Sequence, residues 1–192
     1  MQLTTTLNRI KAHNPCSDGW RKLLKYLGKT IADDEPLPFS SILDSNGLED
    51  ALWCCRTAPE HNRVWRLYAL WCARQIQRLM TDPRSLDALD VTERHANGQA
   101  DDEELSAAGK AAKEAAWDAW TAARAARDTT GAAWVAESAA WTAAWVAQDD
   151  PWAAAQATAE TAQDAVGDDA WVVREAARAA QAAKFREMVS GN

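Results

Sequence analysis

The chain has 192 residues and a net charge of −7, with 47% hydrophobic and 26% charged residues. These values exclude an intrinsically disordered chain, and the length allows one large core or two small domains. No run of 18 uncharged apolar residues occurs, so no membrane-spanning helix is expected. The start, MQLTTTLNRIKAHNP, lacks the apolar segment of a signal peptide, so we expect a cytoplasmic protein.

The first 100 residues predict a series of short helices. Residues 4–12 favour a helix that stops at Asn14-Pro15. Ser17 is expected to cap a second helix, which ends before Gly28 and has a clean apolar stripe. Two further short helices are expected in FSSIL and LEDALWCCR, and no segment shows the alternation of a strand.

The strongest helix of this half is predicted from Glu60 to Met80. Its apolar face has a period of 3.6 and contains Val64, Leu67, Tyr68, Trp71, Cys72, Ile76 and Leu79. Trp65 lies off this face. We therefore expect Trp71 to be a core residue whose replacement by alanine costs about 3–5 kcal/mol. The next helix begins at Asp82-Pro83 and ends at Ala96.

The second half, from Asp101 to Met188, is rich in alanine and tryptophan. Alanine is the best helix former, so the segment predicts four long helices. Their breaks are expected at Thr129–Gly131, Asp149–Pro151 and Gly167–Asp169. The fold class is therefore all-α, with about nine helices in a helical bundle or an open stack of antiparallel helical hairpins.

We expect two domains in this chain. Residues 1–100 would form the domain of short helices, and residues 101–192 would form an Ala/Trp-rich stack of long helices packed on it. In an open stack each helix is held by its neighbours, so the last helix has a neighbour on one side only. Truncation after Val166 is therefore expected to leave a folded chain.

The tryptophans of the second half have two interpretations. Alanine lets helix axes approach closely, and each Trp can bury about 150–250 Å². Trp134, Trp141 and Trp145 share one helical face, and Trp117 and Trp120 share another. The favoured interpretation places these rings in the core between close-packed helices. The alternative is an exposed aromatic stripe that binds a partner.

Charge is unevenly distributed along the chain. Residues 1–100 carry 13 Lys or Arg and 12 Asp or Glu, whereas residues 101–192 carry 8 and 16, for net charges of +1 and −8. The acidic clusters are Asp33-Asp34-Glu35, Asp101 to Glu104, Asp149-Asp150 and Asp168-Asp169. The last three coincide with helix starts, where carboxylates cap free N–H groups.

A partner-binding role for some of these carboxylates is the second possibility. The candidate partner-binding residues are Asp149, Asp150, Asp168 and Asp169. Carboxylates spaced along a surface can also imitate the phosphates of a nucleic acid, so a DNA-mimic surface stays open as an alternative. Nothing in the charge pattern favours binding of nucleic acid itself.

The sequence offers no motif for a metal, a cofactor or catalysis. The cysteines are Cys16, Cys54, Cys55 and Cys72, which lack zinc-site spacing and are expected to be reduced and mostly buried. The histidines, His13, His61 and His95, lie near predicted helix ends. No nucleophile elbow, P-loop, zinc-protease or dinucleotide motif is present. We therefore expect neither cofactor nor metal, and no enzyme.

The first half resembles a known family in three segments. These are DGWRKLLKYLGKT, ADDEPLPFSSILDSNGLEDALWCCR and RLYALWCARQIQRLMTDPRSLDALDVTERHANGQADDEEL. They are similar to a family found in phage, prophage and bacterial genomes, whose members carry ADDEPL and SNGL-DALWC elements and a variable Ala/Trp-rich tail. Its members are described as immunity proteins that neutralise toxins. The resemblance implies a small cytosolic antagonist that binds another protein.

Two functions are therefore considered. The first is a non-enzymatic inhibitor that binds and neutralises a toxin, a nuclease or a defence effector, as an immunity protein or a phage anti-defence protein such as an anti-CRISPR. The second is a structural protein whose helical repeats drive oligomerisation or assembly through exposed Trp and Ala faces. An enzyme without a recognisable motif is the third and least supported class.

Overall fold

The structure, a computed structural model, describes residues 2–126, 132–147, 151–165 and 170–191. Within these residues the fold is all-α, as predicted, with ten α-helices and one antiparallel pair of two-residue strands. The helices form two compact units, the first comprising Met1–Asn62 with Ala179–Asn192 and the second Arg63–Arg178.

The first unit begins with β1 (Thr4–Thr5). It continues with α1 (Leu7–Ala12), α2 (Ser17–Leu27), β2 (Leu37–Pro38), α3 (Phe39–Asn46) and α4 (Leu48–Cys54). Two 3₁₀ turns follow, Cys55–Thr57 and Pro59–His61. The helices after them are α5 (Asn62–Gln75), α6 (Pro83–Ala96), α7 (Asp102–Ala126), α8 (Ala132–Ala147), α9 (Pro151–Asp164) and α10 (Ala170–Ser190). A strand pair this short leaves no alternating pattern in a sequence, and it was not expected.

The core of the first unit is completed by the end of the chain. In α10 the side chains of Gln181, Phe185 and Val189, spaced four residues apart, are buried. Phe185 meets the ring of Phe39 edge-on, with centroids 6.4 Å apart. The N–H of Leu3 donates to the carbonyl of Val189 at 2.8 Å. The end of α10 and its apolar stripe therefore belong to the first unit, whereas the prediction placed them in the stack of residues 101–192.

The predicted cap of α2 is displaced by one residue. Ser17 is already helical, and the N-cap is Cys16, whose Sγ accepts a hydrogen bond from the N–H of Gly19 at 3.3 Å. Ser was predicted because its hydroxyl is the better acceptor. The predicted end is confirmed, since Gly28 terminates the helix with a φ of 65°, a conformation that favours glycine.

A bidentate ion pair joins α1 to the turn before α5. The two Nη atoms of Arg9 donate to the carboxylate oxygens of Glu60 at 2.5 and 2.7 Å. These hydrogen bonds lower the pKa of Glu60 from 4.5 to about 2. Both side chains are substantially exposed, at 39% and 47%, so solvent screening limits the contribution of the pair to about 1 kcal/mol or less.

We expect Glu60→Gln to lower the free energy of unfolding by up to about 1 kcal/mol at pH 7. Because the pKa of Glu60 is lower in the folded chain, the pair contributes fully above pH 4.5, and its contribution is lost as pH falls towards 2. Urea unfolding at several pH values measures this. Asp87→Asn is the control, because Asp87 is exposed and has no ion pair in the described residues. A deficit that stays constant down to pH 2 would contradict this role of Glu60.

The second unit contains α5 to α9 and the start of α10, so it begins well before the predicted domain boundary at residue 100. The reason is that α5 and α6 share a core with the alanine-rich helices. Ala69, Leu70, Ala88 and Leu89 belong to the same buried cluster as residues of α7, α8 and α9. Part of the apolar surface of α5 and of α6 therefore lies in one core with the alanine-rich helices, and the division differs from the predicted one.

The helix predicted from Glu60 to Met80 is shorter and buries a different face. α5 ends at Gln75, and residues Gln77–Leu79 continue as a 3₁₀ turn. Trp65 is buried, with 3% exposure, whereas Trp71 is only partly buried. The buried stripe is Trp65, Tyr68, Ala69, Cys72, Ala73 and Ile76. It is rotated by about one residue from the prediction, towards the two alanines.

The ends of the alanine-rich helices are only partly described. The predicted breaks at Thr129–Gly131, Asp149-Asp150 and Gly167–Asp169 lie outside the described residues, whereas Pro151 is the first residue of α9. Among the described helices, none is both long enough and apolar enough to cross a lipid bilayer.

Candidate protein-binding surface

The alanine-rich helices of the second unit meet through their smallest side chains. The fully or almost fully buried alanines are Ala112, Ala115, Ala116 and Ala123 in α7, Ala139, Ala140, Ala143 and Ala144 in α8, and Ala154, Ala155 and Ala159 in α9. At Gly109 of α7 an added Cβ would lie 3.1 Å from the Cβ of Ala147. Such close contacts leave little room for large rings between the helices.

Several tryptophans are consequently displaced from the core to the surface. Trp117, Trp134 and Trp152 are 57%, 39% and 37% exposed. The predicted core position is therefore wrong for Trp117 and Trp134. Trp141 and Trp145 are partly buried, stack on each other with centroids 6.2 Å apart, and pack against the core. The structure thus favours the alternative interpretation, an exposed aromatic stripe, for α7.

The most exposed ring is part of an ordered stack on α7. Trp117 and Trp120 are one turn apart, with centroids separated by 4.8 Å and planes inclined by 30°. The guanidinium carbon of Arg124, one turn further, lies 4.9 Å from the centroid of Trp120. We call Trp117, Trp120 and Arg124 the α7 aromatic surface. Trp120 therefore contacts both the exposed ring of Trp117 and the guanidinium of Arg124.

The middle of α7 is fixed next to this surface by a charged network with α6. The guanidinium of Arg84 donates to the carboxylate of Asp82 at 2.7 Å and to that of Asp118 at 2.8 Å. These bonds raise the pKa of Arg84 and lower the pKa of Asp82. Asp118 directly follows Trp117, so the network sets the register of the turn that carries the exposed ring.

The start of α7 is capped as predicted. Asp101 Oδ1 accepts from the N–H of Glu104 at 2.8 Å, and Glu104 Oε2 accepts from the N–H of Asp101 at 3.2 Å. His95 of α6 lies between Arg66 Nη1, at 2.6 Å from its Nδ1, and Asp102 Oδ1, at 2.7 Å from its Nε2. Because arginine can only donate, Nδ1 accepts and the proton is on Nε2. His95 therefore has a structural role at a helix end.

The four candidate partner-binding residues, Asp149, Asp150, Asp168 and Asp169, lie outside the described residues. Their role stays a prediction.

Of the other acidic groups, Asp33 and Glu35 both accept hydrogen bonds from Lys29 Nζ, at 2.5 and 2.6 Å. This pairing lowers the pKa of Asp33 and raises that of Lys29.

Three of the four thiols are buried, as expected, and Cys16 is exposed. Burial raises the pKa of Cys54 and of Cys72 to about 12, and that of Cys55 well above its usual value. These three cysteines are therefore neutral thiols at pH 7. Across residues 2–126, 132–147, 151–165 and 170–191, no group of three or more His, Cys, Asp or Glu is placed to hold a metal ion.

Sequence reasoning placed Trp117 and Trp120 on one helix face but missed Arg124, although its spacing is a recognisable signal. Trp117, Trp120 and Arg124 follow each other at i, i+3 and i+7, a spacing typical of one helix face. The same helix buries Ala112, Ala116 and Ala123 on an adjoining face. A helix with one all-alanine face and one Trp/Arg face buries the alanine face where helices approach closely.

Comparison of this chain with protein-family models, with curated proteins and with solved structures gives no significant match.

Proposed function

We propose that this chain is a non-enzymatic protein-binding inhibitor. Its target would be a toxin, a nuclease or a defence effector in the cytoplasm, and its role that of an immunity protein or of a phage anti-defence protein such as an anti-CRISPR. The single observation that carries the proposal is the α7 aromatic surface, a Trp-Trp-Arg stack with its outer ring 57% exposed. The family resemblance of the first half agrees with this role.

The composition of this surface supports protein binding. Trp and Arg are the residue types that contribute most at protein interfaces, particularly where they are ordered in the free protein. Covering the exposed part of Trp117, about 100 Å², would contribute about 2.5 kcal/mol. Asp118 and Arg84 add paired charges next to the ring, as in the polar rim of an interface.

The second candidate is a homo-oligomer or assembly protein. Trp134 and Trp152 are also exposed, and together with Trp117 they give the second unit several apolar patches that another copy could cover. Sedimentation separates the two functions. An inhibitor would sediment as a monomer and shift only with its partner, whereas an assembly protein would sediment as an oligomer alone.

Trp117→Ala is expected to weaken binding of the partner by about 2 kcal/mol or more, which is about 30-fold. The tagged wild-type chain would first capture its partner from a host lysate, and the purified partner would then be titrated by calorimetry. Trp152→Ala is the matched control, because it removes an exposed Trp from another helix of the same unit.

The two variants also test whether the effect is specific. Equal affinity of Trp117→Ala and the wild-type chain, with both variants folded, would show that the α7 aromatic surface does not bind the partner. A wild-type chain that sediments as a concentration-dependent oligomer, and becomes monomeric in Trp117→Ala, would favour the assembly function instead.

A further inference from the structure

The first unit contains a pocket that is separate from the α7 aromatic surface. It has a volume of about 100 Å³ and lies among α1, α2, α3 and α4. Most of its wall is apolar and includes Ile10, Leu23 and Ile42. Two partly buried tryptophans, Trp20 and Trp53, also line it. A second wall is polar and contains the carboxylate of Asp50.

Asp50 is held in a fixed position at this wall. The amide of Asn46 donates to its Oδ2 at 2.6 Å and also to the carbonyl of Gly19 at 2.8 Å. An added Cβ at residue 19 would lie only 2.6 Å from Oδ2, so the carboxylate approaches α2 this closely because residue 19 is glycine. The Asn46 bond occupies Oδ2, and no hydrogen bond to Oδ1 is present among the described residues.

Among the residues that line the pocket, Asp50 is the charged one. The pKa of Cys54, which lines the pocket, is raised to about 12. Burial is the main cause, and the negative charge of Asp50 is the second. Arg56 acts in the opposite direction and more weakly, although its guanidinium carbon lies 4.8 Å from the centroid of Trp53. Arg56 does not line the pocket, so the carboxylate determines the sign of the charge that the pocket favours.

We propose that this pocket binds an organic cation of the alkylammonium class, with Trp20 and Trp53 against its methyl or methylene groups and Asp50 opposite its charge. Indole rings attract a cation through their electron-rich faces, and Trp is the strongest of the aromatic side chains in this respect. A pocket of about 100 Å³ is several times larger than one water molecule needs, which leaves room for a methylated ammonium group.

The test compares choline with 3,3-dimethylbutan-1-ol, a neutral molecule of the same shape. Each is titrated into the full chain while the indole N–H signals of Trp20 and Trp53 are followed by NMR, assigned with Trp20→Phe and Trp53→Phe. Choline is expected to shift both signals saturably and to bind at least about tenfold more tightly than the alcohol.

Asp50→Asn keeps an oxygen acceptor for Asn46 but removes the charge. It is expected to weaken choline binding about tenfold and to leave the alcohol unaffected. Asp18→Asn is the control, because Asp18 lies on α2 of the same unit, its side chain is 88% exposed and it does not line the pocket.

Three results would each overturn the proposal. They are equal binding of choline and the alcohol, choline binding unchanged in a folded Asp50→Asn variant, or no saturable shift of either indole signal. Should Asp50→Asn fail to fold, the comparison of the two probes on the unaltered chain decides alone. None of these results bears on the α7 aromatic surface, so the two proposals fail independently.

Discussion

Replacing Trp65 with alanine is expected to lower the free energy of unfolding by about 3–5 kcal/mol. The side chain is 3% exposed and lies in the buried stripe of α5, with Tyr68, Ala69 and Cys72 on the same face. Alanine would leave a cavity of almost the full volume of the indole. The loss is large compared with the 5–15 kcal/mol by which a typical domain is stable.

Trp71→Ala on the same helix is the matched control, with an expected cost of about 1–2 kcal/mol. Trp71 is only partly buried and stacks on Tyr68 at a centroid distance of 6.5 Å, so its removal opens a surface groove instead of a cavity. Guanidinium unfolding followed by circular dichroism measures both. A larger loss for Trp71→Ala would support the face predicted from the sequence and contradict the structure.

The helices themselves could be predicted, because their signals are local. Alanine content indicated the long helices, and the capping residues at Asp82 and Asp101 were correctly placed as starts. These signals act within four residues of the helix end, so a single sequence contains them. The β-pair between Thr5 and Leu37 joins residues 32 positions apart and left no such signal.

The burial of tryptophan could not be predicted from periodicity. A helical period shows which residues share a face, but it does not show how close the neighbouring helix lies. At Gly109 and Ala147 the helices are close enough that a Cβ on the glycine would be in tight contact. In such a seam the favoured side chain is the smallest one. Trp117 is therefore exposed although its hydrophobicity favours the core.

The pocket lined by Trp20 and Trp53 could not be predicted from the sequence either. The segments DGW and SNGLEDALWC were recognised, but as parts of a resemblance and of two separate helices. They line one cavity because α2 packs against α3 and because Gly19 lets α2 approach Asp50 of α4. That approach joins residues 31 positions apart, and neither residue has an unusual local context.

Removal of the chain after residue 166 is expected to unfold the first unit. The sequence predicted the opposite, because the last helix was assigned to the exposed end of a stack. In the structure α10 instead supplies Phe185 and Val189, both fully buried, to the core of the first unit. Loss of the Phe185 side chain alone would cost about 3–5 kcal/mol, and that of Val189 about 1.5–3 kcal/mol.

The truncation also removes two polar contacts. The carbonyl of Val189 accepts from Leu3, and Arg186 donates to Asp44 at 2.5 Å. Residues 1–62 alone would have a core close to the lower limit for independent folding, so the combined loss approaches the whole stability of the unit. Phe185→Ala removes one of the same core side chains but leaves α10 in the chain, and it is expected to destabilise the first unit.

Two measurements test whether the first unit folds without α10. Far-UV circular dichroism of the truncated chain should lose more helix than the removed residues account for, and the NMR signals of α1 to α4 should lose their dispersion. Val172→Ala is the control for Phe185→Ala, because Val172 lies on the same helix and is 48% exposed, so it should change stability by less than about 0.5 kcal/mol. Retention of a cooperative melt and of dispersed α1 to α4 signals by residues 1–166 would restore the open stack, because the first unit would then fold without α10.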